Sequence, residues 1–67
     1  MPKVGDDIVY LCLAGYRYDA TVNMIRPEGR LDLAVDAGSK DRVMLTNIAF
    51  VEPDELRPGT CSIGRRV

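Results

Sequence analysis

A chain of 67 residues buries only about 60% of its unfolded surface, which allows one modest core and therefore one domain. With 46% hydrophobic residues it is too apolar for a disordered tail, yet no apolar run approaches the ~20 residues of a membrane span. The net charge of −1 is unevenly spread: residues 1–56 hold all ten acids and six of the nine bases, and residues 57–67 hold three arginines and no acid. The opening Met1-Pro2-Lys3-Val4-Gly5-Asp6-Asp7 lacks the apolar stretch of a signal peptide, so the expected setting is intracellular.

In chain order, Val4-Gly5-Asp6-Asp7 reads as a turn feeding a first strand over residues 8–13. Ala14-Gly15 breaks that strand. Residues 17–26 then alternate, with Tyr18, Ala20, Val22 and Met24 on one face and Asp19, Thr21, Asn23 and Ile25 on the other, the period of a half-buried strand. Arg26-Pro27-Glu28-Gly29-Arg30 carries the chemistry of a tight hairpin turn. Residues 30–36 alternate most regularly, with Leu31, Leu33 and Val35 inward and Asp32, Ala34 and Asp36 outward.

After the loop at residues 37–41, residues 42–45 form a fourth strand and residues 47–51 extend or restart it beyond a bulge at Thr46-Asn47. Glu52-Pro53-Asp54-Glu55-Leu56 suits a single helical turn with proline at its first position, and Pro58-Gly59 stops it. Residues 1–56 are then a small β-barrel domain and residues 57–67 a basic C-terminal tail. About five short antiparallel strands without a substantial helix bury their apolar stripes and sheet edges most simply in a small, partly open barrel, an all-β fold. Its inward set is Val9, Leu11, Ala20, Val22, Met24, Leu31, Leu33, Val35, Val43, Leu45 and Phe50. A flat three-stranded meander is the alternative, and it would need a second chain to cover one face, so a homo-oligomer stays open.

The inventory of reactive groups argues against catalysis. There is no histidine to activate Ser39, Ser62, Cys12 or Cys61, and Asp6 and Asp7, adjacent on an extended chain, point in opposite directions. Two cysteines far apart in sequence, without histidine, cannot build a four-ligand zinc site, so no metal and no cofactor is expected. Cys12, inside the apolar run, reads as a buried hydrophobe and Cys61 as the more exposed thiol, and nothing points to the oxidising compartment that a disulfide would need. The acidic body lacks the concentrated basic face of a nucleic-acid module.

Val4-Gly5-Asp6, Gly15-Tyr16 with Ala20-Thr21-Val22, Leu31-Asp32-Leu33-Ala34-Val35 and the closing Pro58-Gly59-Thr60 resemble, across nearly the whole chain, short phage and prophage proteins with Src-homology-3-like barrels. Cys61-Ser62 stands where those proteins carry an aromatic pair. The resemblance implies a virion-associated or accessory protein without catalysis, located in the virion or the host cytoplasm. A weaker resemblance, in the segment from Gly15 to Val22 and the Asp36-Ala37-Gly38 turn, is to Tudor-type barrels, whose aromatic cages bind methylated cations. Ala37 occupies the place of a cage tyrosine.

The function that follows is docking, as a capsid-decoration or assembly component, through Tyr16, Arg17, Tyr18, Lys40, Arg42, Arg57, Arg65 and Arg66 onto a viral structural protein or a host protein. The first alternative is an interaction module or inhibitor that binds a host or phage protein through Tyr16 to Tyr18 and the Gly38 to Arg42 loop. The second is nucleic-acid binding by stacking and arginine contacts.

Overall fold

The chain alternates strand-forming runs with turn residues, and the computed structural model, which describes residues 2–36 and 42–64, places strands at the first three runs, joins the last two into one strand and adds a fifth at Thr60–Ile63. The strands are β1 (Asp7–Leu11), β2 (Arg17–Arg26), β3 (Arg30–Asp36), β4 (Arg42–Phe50) and β5 (Thr60–Ile63), with single 3-10 turns at Pro27–Gly29 and Pro53–Glu55. Antiparallel pairing runs from β1 to β4 in order, and β5 closes the barrel by pairing antiparallel with β1 and parallel with β4. This is the small all-β barrel that the sequence pattern implies, with one parallel junction.

The stretch expected to be a tail supplies that junction. Thr60, Cys61 and Ser62 are all buried, and Cys61 is 0% exposed. The boundary at residue 56 is therefore corrected: the barrel extends at least to Ile63. The turn at residues 57–60 explains how the chain returns. Pro58 presets one dihedral, Gly59 takes a φ of 89°, and the Thr60 amide donates to the Arg57 carbonyl at 3.1 Å, the geometry of a proline-glycine turn. The Thr60 hydroxyl donates to the same carbonyl at 2.7 Å, and the Gly59 amide donates to the Leu11 carbonyl at 2.7 Å, which lays the turn against β1.

The core joins Ile8, Tyr10, Ala20, Val22, Leu31, Leu33, Val35 and Cys61, with Cys12, Tyr18, Leu45, Ile48 and Phe50 packed against it. Several expected faces are reversed, each for a local reason. In β1 the inward residues are Ile8 and Tyr10, while Val9 and Leu11 are half-buried on the other face. An unbroken apolar run carries no alternation, so pairing decides the face, and Ile8 stands opposite Ala20 and Tyr10 opposite Tyr18. Leu13 lies beyond the strand in a turn and is 80% exposed.

In β2 the register shifts between Val22 and Met24, so Asn23 is an extra residue and the faces exchange after it. Met24 consequently turns outward, 50% exposed, and Ile25 pairs with the fully buried Leu31. Val43 stands opposite Val35 but remains 46% exposed at the start of β4. The expected bulge at Thr46-Asn47 is present within one continuous β4, as a register shift opposite Leu31 and Leu33 with Asn47 at a φ of 60°.

Both bulges flank Asp32, and that residue holds the one in β4. Its carboxylate accepts from Arg26 Nε at 2.6 Å and Nη2 at 2.8 Å, and from the Asn47 amide at 3.0 Å, an N–H that the bulge turns out of the β3 ladder. Asp32 is 8% exposed although it faces away from the core. Beside it, Ala34 is buried between Thr21 and Met44, whose sulfur lies 3.3 Å from Asn23 Nδ2 across β3.

Candidate protein-interaction surface

The β1–β2 turn is tied at both ends. The Gly15 amide donates to the Cys12 carbonyl and the Cys12 amide to the Tyr16 carbonyl, each at 2.9 Å, so Leu13 and Ala14 project on a closed loop. Leu13 and Tyr16 are 80% and 66% exposed. Arg17 opens β2 opposite Leu11, and Thr60 stands opposite Leu11 on its other side. The turn at residues 57–60 therefore reaches the same end of the barrel, where a Cβ on Gly59 would lie 3.3 Å from Leu13 Cδ2.

Of the residues expected to bind a partner, the fold thus gathers Tyr16, Arg17 and Arg57 at one end, all exposed. Tyr18 is not with them: it is paired with Tyr10, half-buried and packed on the core. Arg42 opens β4 opposite Asp36, which stands opposite Asp19, and it borders an open groove of about 250 Å³ lined by Asp7, Asp19, Ala20, Thr21, Asp36 and Arg42. Lys40, Arg65 and Arg66 lie outside the described residues.

Leu13 was missed as a surface residue because the apolar run hides where β1 ends. The spacing from Cys12 to Gly15, one turn long and closed by glycine, is the signal that could have placed it in the loop. The four aromatic residues also divide. Tyr10, Tyr18 and Phe50 belong to the core or pack on it, and only Tyr16 is exposed. They do not form a cage at the barrel end.

Ionisable groups are shifted beside β5 and at the Asp32 bulges. Burial pushes the Cys61 thiol up to about 11, and its Sγ lies 3.5 Å from the Ala49 carbonyl oxygen. Burial also raises Tyr10, helped by Cys12 and Cys61. Hydrogen bonds from Arg26 and then from the Asn47 amide lower Asp32 below the usual carboxylate range, and the same bond raises Arg26. Ser62 Oγ is buried without a hydrogen-bond partner among the described residues. Among the described residues there is no cluster of three or more histidine, cysteine or acidic side chains able to hold a metal ion, and no helix long and apolar enough to cross a membrane.

No family model matches this chain, and no curated protein or solved structure matches it either. Its function must be argued from its own surface.

Proposed function

We propose that this chain is a non-catalytic accessory protein that docks on a protein partner through the barrel end bearing Leu13, Tyr16, Arg17 and Arg57, in the virion-associated role that its resemblance to phage barrels implies. The observation that carries the reading is the exposure of Leu13 and Tyr16 on a hydrogen-bonded turn. A small domain gains by burying such side chains, and holding them on a tied loop lowers the ordering cost of binding. An exposed tyrosine beside arginines is the composition of an interface centre, where a few aromatic and arginine residues supply most of the affinity. The flanking Arg17 and Arg57 suit a partner with an acidic rim.

The test compares the tagged protein with Leu13→Ser/Tyr16→Ala in pull-downs from phage-infected and uninfected cells, with and without nuclease, the bound proteins being identified by mass spectrometry. Tyr16→Ala alone is expected to weaken the complex by roughly 30-fold or more, the loss typical of an interface anchor. Virion proteins captured by the parent chain and lost with the double variant, at an unchanged melting temperature, support the reading. A partner retained by the double variant refutes this surface, and capture abolished by nuclease refutes protein docking.

A further inference from the structure

β4 is the strand of the barrel that has no buried residue. Residues 42–44 and 46–47 are exposed, whereas its neighbour β3 is buried at Leu31, Asp32, Leu33, Ala34 and Val35. Pairing explains the contrast. On one side β4 pairs with β3 along most of its length, but on the other side β5 reaches only Ala49 and Phe50. Among the described residues, the far edge of residues 42–48 has no strand beside it. Such an edge offers alternate backbone N–H and C=O groups to any extended chain that can lie along it. The devices that usually blunt an edge are sparse here. Residues 42–46 contain no proline and a single charge, at Arg42, and the bulge at Thr46-Asn47 begins only at the segment's last residue.

We propose that residues 42–46 are a strand-addition site for a second copy of this chain, two β4 strands pairing antiparallel about a two-fold axis at Met44. The bulge at Thr46-Asn47 bounds the segment at one end, and among the described residues the self-match of residues 42–46 about Met44 sets the register. Met44 then faces Met44, Val43 faces Leu45, and Arg42 faces Thr46. Every pair is compatible. No like charges stand opposite one another, and the Val43–Leu45 pairs extend the apolar interior. The Met44 side chain leans across β3 toward Asn23, which leaves the backbone of the edge clear. Because a two-fold contact uses the same patch twice, this self-match favours a second copy over an unrelated peptide. The surface shares no residue with Leu13, Tyr16, Arg17 or Arg57, so it stands or falls independently of the docking reading.

A contact of five residues a side is small, so the dimer is weak and is sought from about 1 µM to about 1 mM by sedimentation velocity on the full chain. The parent chain is expected to pass from monomer to dimer over that range. Met44→Lys places two ammonium groups face to face at an exposed position and is expected to stay monomeric with an unchanged melting curve. Thr46→Glu sets a carboxylate opposite Arg42 twice per dimer and is expected to tighten it about two- to thirty-fold. A parent chain monomeric throughout, a Met44→Lys chain that dimerises like the parent, or a folded Thr46→Glu chain no tighter than the parent overturns the proposal.

Discussion

Deleting residues 60–67 is expected to unfold the domain. The deletion removes β5, whose Cys61 is wholly buried, and uncovers Ile8, Tyr10 and Phe50, which stand beside it through the β1 and β4 pairings. Burying one large apolar side chain contributes about 1.5–3 kcal/mol. Half of that for each of the three uncovered residues, with the loss of Cys61, comes to about 4–6 kcal/mol. A core in a chain of this length supplies roughly 3–5 kcal/mol of net stability, so the loss matches or exceeds what is there. Broken pairing with β1 and β4 acts in the same direction.

The informative control is deletion of residues 65–67 alone, which takes away Arg65 and Arg66 and leaves β5 in place. Thermal melts followed by far-UV circular dichroism should show no cooperative transition for the longer deletion and a near-parent transition for the shorter one. A longer deletion that melts cooperatively within a few degrees of the parent would refute the placement of β5 as a structural wall of the barrel. It would return residues 57–67 to the role of a separable arm.

Two further outcomes follow from the ionisable groups. Asp32 is held below its ordinary 3.8 by Arg26 and then by the Asn47 amide, so near that pH the native state binds fewer protons than the unfolded chain. The stability it contributes is complete above pH 3.8 and is lost as the pH falls through its lower native value. Urea melts of parent and Asp32→Asn chains should therefore differ by a constant amount above about pH 5 and converge below it, and a difference that grows on acidification would contradict the assignment. The thiols should separate by rate. With its pKa at about 11 against an ordinary 9.0, Cys61 carries about a hundredfold less thiolate at pH 8, and it is also buried. A thiol reagent should modify the half-buried Cys12 first and Cys61 only on unfolding, and equal rates would refute the closed packing around β5.

The strands were legible wherever alternation was regular. Residues 30–36 could be assigned to a face from sequence because only one register puts Leu31, Leu33 and Val35 on the same side. Met24 could not, because a single extra residue at Asn23 inverts every later face of β2, and an asparagine in a strand is a weak sign of a bulge. β1 was ambiguous for the opposite reason: with apolar residues at every position from Ile8 to Leu13, only the cross-strand partners distinguish inside from outside. β5 was hidden by composition. Thr60-Cys61-Ser62 is short and barely apolar, and its burial comes from being the last wall of the barrel. On the surface, the exposure of Tyr16, Arg17 and Arg57 could be anticipated from residue type. Their convergence could not, because it depends on β5 returning to pair with β1.

Asp32 links these separate features. The hairpin at Pro27–Gly29 sets Arg26 opposite Arg30, and a residue two positions further along β3 is diagonal to Arg26, within reach of a guanidinium. A carboxylate at that position can therefore hold Arg26 with two of its lone pairs and the Asn47 amide with a third. It pins the bulge in β4 from across the sheet and stands opposite the register shift in β2. Bulges bend strands and increase their twist, and two bulges at the same level of adjacent strand pairs bend the sheet at one line. A five-stranded sheet bent there can bring β4 round to β5, but with β5 only four residues long the junction covers just the end of β4. The bend at Asp32 and the shortness of β5 together set how much of β4 the junction reaches, and among the described residues the edge beside Met44 is left without a strand neighbour.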